Sequence, residues 1–275
     1  MAHSFEPGRM YRMPVGFGPA MGPRQGPGGR KFSCVDDPKV TSISVSFVSD
    51  PGQLAALLPP GFELAGDPVV TVRASYMTEI EWLAGRGYNT LGVTFPARYR
   101  GRTETVQGPF LAVLWENLTD PILTGREELG FAKIYCELPE PDIGRSTAAC
   151  TAAWLGFNFM EMSVAGLKRA SGEPDAGAGP ADGVLHCKYM PRTGEWGTPD
   201  SCYAVLTPAE TPNRRVVEHW TGSGRVEWTR ARWEDLPTQY NIVNALADLE
   251  VRQYAGASLM KTVGGKDLSD QRIVR

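Results

Sequence analysis

Apolar and small polar residues alternate along much of the chain after residue 38. Within residues 40–47, for example, Ile43, Val45 and Phe47 are separated by single serines. A period of two residues predicts a strand with one buried face. The same pattern predicts strands at 68–77, 90–96, 109–116, 132–138, 184–190, 201–207, 214–220 and 225–230. Many short strands punctuated by Gly and Pro indicate an antiparallel sheet system or a barrel.

Two segments have helical character. A short helix is predicted over residues 53–58, preceded by Asp50 and Pro51 and ended by two prolines. A long helix is predicted to close the chain, with Asp235 as its N-cap and Pro237 in its first turn. Its apolar face comprises Tyr240, Val243, Ala247, Val251 and Tyr254. The predicted fold class is therefore α+β and rich in strands.

The first 31 residues differ in composition from the rest of the chain. Gly-Pro pairs recur there every four residues, at Gly18, Gly22 and Gly26. Such a segment buries too little apolar surface to fold alone. We predict an N-terminal arm over residues 1–31, either disordered or wrapped on a neighbouring subunit. Residues 32–275 are predicted to form one domain, with 171–183 as a loop inside it.

Charge and composition argue against several classes of protein. The net charge of the chain is −3, which argues against the concentrated basic face that binding to nucleic acids requires. No apolar run is long enough to span a membrane, and no secretory signal precedes the domain. Five cysteines without a CxxC spacing and only three histidines indicate reduced thiols, a cytoplasmic protein and no metal site. Without a nucleotide-binding motif, no cofactor is predicted.

Lys133 is the candidate for covalent chemistry. Read as a strand, residues 132–138 put Lys133, Tyr135 and Glu137 on one face and Ile134 on the other. A lysine becomes a nucleophile near neutral pH only where burial or a nearby cation lowers its pKa. The alternative is a wet sheet face on which Lys133 pairs with a glutamate. The spacing alone favours this second interpretation.

Two blocks of sequence change that balance. Residues 120–133 read Asp-Pro-Ile-Leu-Thr-Gly-Arg-Glu-Glu-Leu-Gly-Phe-Ala-Lys, and residues 220–226 read Trp-Thr-Gly-Ser-Gly-Arg-Val, followed by Asp-Leu-Pro at 235–237. In order and spacing they resemble the acetoacetate decarboxylase-like superfamily, with weaker similarity at 57–64 and 88–96. The resemblance implies a closed, cone-shaped antiparallel β-barrel with flanking helices. It further implies a Schiff-base lysine inside the barrel, at Lys133, and a homo-oligomer.

Three positions depart from the family pattern. The true decarboxylase has a second lysine directly after the first, where this chain has Ile134. Thr90, shortly after Tyr88, stands where the family has a glutamate. Arg73 lies near the position of another glutamate. An arginine suits a pocket that holds a substrate carboxylate, so these changes favour a branch of the superfamily other than the decarboxylases.

The resemblance and the departures from it together imply roles for individual residues. Lys133 is the predicted nucleophile, and Tyr88 and Tyr135 are the predicted proton carriers. The predicted substrate-binding residues are Arg73, Thr90 and Phe131. Further candidates for proton transfer are Glu79, Glu81, Tyr240 and Tyr254, for each of which packing is the alternative. Arg126 and Glu127 are predicted to form a structural ion pair in the turn before the lysine.

The expected function is that of an imine-forming lyase acting on a small, pyruvate-like oxo acid. Aldol condensation with dehydration, or its reverse, would follow from the enamine, with an aldehyde as a second substrate. The alternatives are a decarboxylase of acetoacetate or a larger β-oxo acid, and a non-catalytic ligand-binding barrel. No nucleic acid, membrane or metal partner is expected.

Overall fold

The computed structural model describes residues 4–170 and 181–275. The chain is mostly strand, and the predicted α+β, strand-rich class is confirmed. The strands are β1 (Lys39–Val48), β2 (Phe62–Leu64), β3 (Val69–Ile80), β4 (Arg86–Arg100), β5 (Thr105–Glu116), β6 (Lys133–Tyr135), β7 (Asp142–Ile143), β8 (Thr147–Trp154), β9 (Phe157–Arg169), β10 (Gly183–Pro191), β11 (Pro199–Pro208), β12 (Arg215–Trp228), β13 (Gln253–Val263) and β14 (Arg272–Ile273).

In the described part of the chain three α-helices accompany these strands: α1 (Pro51–Ala56), α2 (Thr119–Thr124) and α3 (Tyr240–Ala247). A π-helical turn, Gly125–Leu129, continues α2. Short 3-10 turns lie at Val15–Phe17, Pro27–Gly29 and Glu81–Leu83. Within residues 4–170 and 181–275, no helix has the length and apolar character needed to cross a membrane.

The alternation seen in the sequence places one face of the sheet in the core. In β1, Ile43, Val45 and Phe47 are fully buried, while the serines between them point to the other face. Trp115 of β5 packs across the interior, with its ring centroid 5.4 Å from that of Phe159 and 5.8 Å from that of Trp228. These partners belong to strands that do not adjoin β5, so the apolar face lies inside a curved sheet.

The sheet runs in the order β14-β11-β10-β5-β4-β3-β1-β13-β12-β9-β8-β7, with β6 beside β5. Glu137, just after β6, exchanges backbone hydrogen bonds of 2.7 and 3.0 Å with Ala153 of β8. This bridge joins the two ends of the run from β6 to β8 into a ring, as a barrel requires. The ladders are antiparallel except β5–β6 and β5–β10, which are parallel. The expectation of a purely antiparallel barrel is wrong in this respect.

The long C-terminal helix is the main error of the sequence analysis. The α3 helix spans only Tyr240–Ala247, with Gln239 rather than Asp235 at its N-cap position, and Tyr254 lies in β13. Strand β13 makes ladder hydrogen bonds to β1 on one edge and to β12 on the other. Pairing on both edges outweighs the helical spacing of the apolar residues, because tertiary contacts routinely override a weak local preference.

Other strands and helices also have boundaries that differ from the predicted ones. The segments predicted as two strands, 214–220 and 225–230, form the single strand β12, and the predicted strand 132–138 is reduced to β6. Strands β8 and β9 were missed, since β8 is rich in alanine, a residue depleted in strands. The predicted helix 53–58 is confirmed as α1, which begins and ends two residues earlier. The Asp50 side chain accepts a hydrogen bond of 2.9 Å from the Gln53 N–H at its start. Most of the predicted loop 171–183 falls outside the described residues.

Glycines in β12 explain the second sequence block in structural terms. A Cβ on Gly224 would stand 2.6 Å from both Ala257 Cβ and Val45 Cγ2, and one on Gly222 would stand 2.5 Å from the backbone oxygen of Ala165. Such distances are too short for carbon contacts. The block therefore keeps β12 close to its neighbours in the barrel wall.

Gly224→Ala is expected to lower the free energy of unfolding by about 1–3 kcal/mol through overpacking of the interior. Gly16→Ala is the control, because a Cβ at Gly16 would meet no atom within 4 Å. Urea unfolding followed by tryptophan fluorescence measures both variants. Equal stability of Gly224→Ala and the unmodified protein would contradict the close packing of β12.

Candidate active site

Lys133 is the first residue of β6, and its side chain is almost completely buried. It lies opposite Leu114 in the parallel ladder, whereas the core residue Trp115 lies opposite Ile134. Lys133 therefore lies on the face of the sheet turned away from the apolar interior. Strand alternation directs Ile134 to the side of Trp115, and the side chain of Lys133 is enclosed on the opposite face.

The ammonium group of Lys133 has two polar contacts. Its Nζ lies 2.9 Å from Glu116 Oε1 and donates a hydrogen bond of 3.0 Å to the backbone oxygen of Pro121. Glu116, the last residue of β5, is 1% exposed. Its other oxygen, Oε2, is buried and has no hydrogen-bond partner among the described residues. An acceptor left free beside a buried amine is available to a ligand or to a proton.

Burial drives the pKa values of this pair towards each other. Desolvation is the largest cause that lowers the pKa of Lys133, and it outweighs the opposing attraction of Glu116. Desolvation likewise raises the pKa of Glu116, with Lys133 acting in the opposite direction. Both shifts favour the neutral forms, since charged groups lose hydration in the interior. Both pKa shifts thus run towards the uncharged amine and the protonated carboxyl group.

The π-helical turn after α2 covers the lysine. A Cβ on Gly125 would stand 2.7 Å from Lys133 Nζ and closer still to Cδ and Cε. Arg126 Nη1 donates a 2.8 Å hydrogen bond to the backbone oxygen of Lys133. Among the described residues no ion pair joins Arg126 to Glu127, so that prediction is wrong. Arg126 instead fixes the backbone of the residue that the turn covers.

Residues of the N-terminal arm lie against this turn. Arg12 Nη1 donates hydrogen bonds of 2.6 Å to Thr124 Oγ1 and 2.9 Å to Glu128 Oε1. Arg24 is buried and pairs with Glu128 Oε2. Gln25, also buried, exchanges hydrogen bonds with the backbone of Met10. The described part of the arm, from residue 4, thus packs against its own chain.

Tyr88 and Thr90 of β4 lie beside the pair. Thr90 is the register partner of Glu116 in the β4–β5 ladder. Burial raises the pKa of the Tyr88 phenol, and the charge of Glu116 raises it further. Tyr88 shares the face of β4 that carries Thr90, two residues along the strand. The structure thus brings these two predicted residues together with Glu116 and Lys133.

Arg73 of β3 lies on the same face and in the same row as Lys133. The row runs from Lys133 through Leu114 and Gly92 to Arg73, three strands away, which is about 14 Å between Cα atoms. Arg73 is solvent-accessible, yet desolvation is the largest cause lowering its pKa, followed by the charge of Arg214. Both facts fit a guanidinium that extends into a recess. Within residues 4–170 and 181–275, neither arginine forms an ion pair.

Phe131 contributes an aromatic wall. Its ring stacks on His186, with centroids 4.4 Å apart, and Lys133 Nζ lies 5.4 Å from the Phe131 centroid. His186 is fully buried between Gly130 O and Thr207 Oγ1, and burial lowers its pKa to about 4. A neutral histidine at this position adds no positive charge near the lysine at neutral pH.

The other proposed proton carriers lie elsewhere. Tyr135 is 42% exposed and lines an open groove together with Asn117, Glu137 and Asn158. Glu79 pairs with Lys39 at 2.7 Å, and Glu81 pairs with Arg30, both at the surface. Tyr240 is exposed, and the Tyr254 hydroxyl bonds the backbone of Val226. A second groove is lined by Phe131 and Lys188, and neither groove is lined by Lys133.

Sequence reasoning missed Glu116 and Gly125. Glu116 ends an otherwise apolar predicted strand, and an isolated carboxylate at that position was a usable signal. Its partner could not be identified, because the parallel pairing of β5 with β6 was not predictable from short-range pattern. Gly125 belongs to the first sequence block, where the pattern gave no reason for a glycine. The reason is the space that the lysine side chain occupies.

Comparisons with known proteins identify the family and the fold of this chain. The model of the acetoacetate decarboxylase family matches residues 12–267. A solved acetoacetate decarboxylase is 16% identical, with a TM-score of 0.66 over 86% of this chain and 88% of that one. An acetoacetate decarboxylase-like enzyme from Sphingomonas wittichii RW1 is 20% identical, with a TM-score of 0.63 over 88% and 95%.

The enduracididine biosynthesis enzyme MppR is 18% identical, with a TM-score of 0.59 over 90% of this chain and 94% of its own. No curated protein sequence matches the chain significantly. At these identities the solved structures establish a shared fold, and the family model covers nearly the whole chain. The resemblance expected from residues 120–133 and 220–226 is thereby confirmed: the chain belongs to the acetoacetate decarboxylase family.

Proposed function

We propose that the protein is an imine-forming lyase that acts on a small oxo acid through Lys133. The observation that carries this proposal is the buried contact between Lys133 Nζ and Glu116, 2.9 Å apart. Burial favours the neutral amine, the form that attacks a ketone. The same contact supplies a carboxyl group that exchanges protons with the reaction.

The proposed reaction begins when Lys133 passes a proton to Glu116 and its nitrogen attacks the ketone carbon. Glu116 returns this proton to the ketone oxygen and then carries a second proton from the attacking nitrogen to the same oxygen, which leaves as water and gives an iminium ion. The carboxylate then removes a proton from the adjacent carbon, and the iminium accepts the electron pair to give an enamine. Addition of the enamine to an aldehyde, loss of a second water and hydrolysis of the imine release the condensation product and restore Lys133.

Arg73 is proposed to bind the substrate carboxylate. Arg73 lies on the same face of the sheet as Lys133 and in the same row, with Gly92 and Leu114 between them. Arg73 and Arg214 have no acidic partner within the described residues, and a carboxylate would satisfy them. Thr90 and Phe131 are proposed to line the same recess, and Tyr88 to donate a hydrogen bond beside Glu116.

The comparisons favour condensation over other uses of the iminium. MppR has been solved with pyruvate and with the condensation product of pyruvate and imidazole 4-carboxaldehyde. The positions that depart from the decarboxylase pattern, Ile134, Thr90 and Arg73, point in the same direction. Decarboxylation of a β-oxo acid remains the second candidate, because the family match supports it and it uses the same iminium.

Borohydride reduction in the presence of pyruvate is expected to trap a stable adduct on Lys133, located by mass mapping of peptides. Lys133→Ala should remain folded and lose the adduct, whereas Lys39→Ala should keep it, since Lys39 pairs with Glu79 at the surface. Parallel trapping with acetoacetate and a measurement of released carbon dioxide test the decarboxylase reading. No adduct with any oxo acid would leave the non-catalytic barrel as the explanation.

Glu116→Gln is expected to separate imine formation from proton transfer. Gln retains the shape of the side chain but cannot accept the proton of the adjacent carbon, so exchange of the pyruvate methyl protons in D2O should slow by about 10²–10⁴-fold. Trapping on Lys133 should still occur, but more slowly, because water must then carry the protons of imine formation. Its onset should shift to lower pH, because the group that raises the lysine pKa is gone. Proton NMR measures the exchange of the methyl protons. An unchanged exchange rate in Glu116→Gln would show that Glu116 does not transfer the proton.

Gly125→Ala is expected to abolish trapping without unfolding the protein. Gly125 has φ −66° and ψ −41°, which alanine adopts without strain. The added Cβ therefore acts through its overlap with the Lys133 side chain. We expect the trapped fraction to fall at least about tenfold, the equivalent of about 1.4 kcal/mol, with the melting temperature largely unchanged. Full trapping in this variant would show that the turn does not confine the lysine.

A further inference from the structure

Two arginines of the N-terminal arm converge on one carboxylate next to the lysine. Glu128, in the π-helical turn, accepts Arg12 at Oε1 and Arg24 at Oε2. All three side chains are largely buried, and Arg24 Nη1 also donates a 3.3 Å hydrogen bond to the backbone oxygen of Asp267. The Arg24 guanidinium is thus held from two sides. Buried arginines with fixed partners are unusual in a Gly/Pro-rich segment.

The cluster of Arg12, Arg24 and Glu128 carries one net positive charge. Glu128 can neutralise only one of the two arginines, and the surplus charge is buried close to Lys133. The Arg24 charge is among the causes that lower the pKa of Lys133. The position after the lysine, which the decarboxylase fills with a second lysine, is Ile134 here and points into the apolar interior. The arm therefore brings a cation from a distant part of the sequence.

We propose that Arg24 is a positioning residue of the active site: it holds the turn over Lys133 through Glu128 and adds a buried positive charge near the lysine amine. The inference deepens the proposed function and rests on it for its catalytic consequence. Its structural content, that Arg24 holds the turn over Lys133, rests on the contacts of Arg24 with Glu128 and Asp267.

Every charged or titratable group facing Lys133 bears on this proposal. Glu116 of β5 contacts Nζ directly and favours the ammonium form. His186 of β10 is neutral at pH 7, and Arg126 of the turn is bound to the lysine backbone oxygen. From the arm, Arg24 opposes Glu116. Loss of Arg24 removes positive charge that opposes the carboxylates Glu116 and Glu128. Each of these carboxylates then favours the protonated lysine more strongly.

The test measures the ionisation of Lys133 without any substrate. The chain contains seven lysines, so [ε-¹³C]lysine labelling gives a simple spectrum in which Lys133→Met identifies the signal of Lys133. In the full-length Arg24→Gln variant we expect the pH midpoint of that signal to move upward by about one unit, the order expected for one nearby charge at an effective dielectric constant of about 20. In Arg24→Lys, which keeps the positive charge, the midpoint should return most of the way to that of the unmodified protein.

Glu128→Gln is expected to shift the pH midpoint of Lys133 in the opposite direction. It leaves both arginines uncompensated, so the midpoint of Lys133 should move downward. Loosening of the turn alone would expose the lysine in both variants and raise the midpoint in both. Arg30→Gln is the matched control, since Arg30 is an arm arginine that pairs with Glu81 at the surface, and it should leave the midpoint unchanged.

Trapping with pyruvate separates the two proposals. If the unmodified protein forms the adduct, its rate at pH 7 should fall severalfold in Arg24→Gln and recover at higher pH. If no adduct forms while the midpoints shift with opposite signs, the imine chemistry fails and the role of Arg24 stands. An unshifted midpoint in Arg24→Gln, or shifts of the same sign in both variants, overturns the role of Arg24.

Discussion

A lysine and a glutamate share one buried site in this protein, and the structure around them is organised by that constraint. Removing two charges from water costs several kcal/mol for each ion, and attraction at 2.9 Å offsets this only in part. Transfer of the proton from Lys133 to Glu116 replaces two buried charges by two neutral groups. The environment that makes the ion pair costly therefore also favours the neutral amine on which the proposed chemistry depends, without any second lysine beside it.

Several distant segments maintain this burial. The barrel wall supplies Glu116 and the backbone of Lys133, and the turn at Gly125 covers the lysine side chain. The N-terminal arm packs on that turn through Arg12 and Arg24. The site thus depends on the face of the sheet that the apolar core leaves free.

The sequence predicted the parts of the fold in which local pattern and tertiary structure agree. Strand β1 was predictable because the alternation of Ile43, Val45 and Phe47 matches the buried face of the barrel. Strand β13 was not, because its apolar spacing also fits a helix and only pairing on both edges decides between them. Lys133 was predictable from a block of adjacent residues. Glu116 was not, since 17 residues separate it from Lys133 and a parallel ladder brings the two together.

The same distinction bears on how the family varies its chemistry. A cation placed directly after the lysine would have to share the strand with it, and alternation would direct it to the opposite face. Ile134 uses that position for the apolar interior instead. In the role proposed for Arg24, the cation comes from the arm instead, through its pairing with Glu128 in the turn that covers Lys133. Replacing a neighbour in sequence by a neighbour in space thus separates the electrostatics of the amine from the packing of the barrel. The recess can then change, as at Thr90 and Arg73, without altering the lysine.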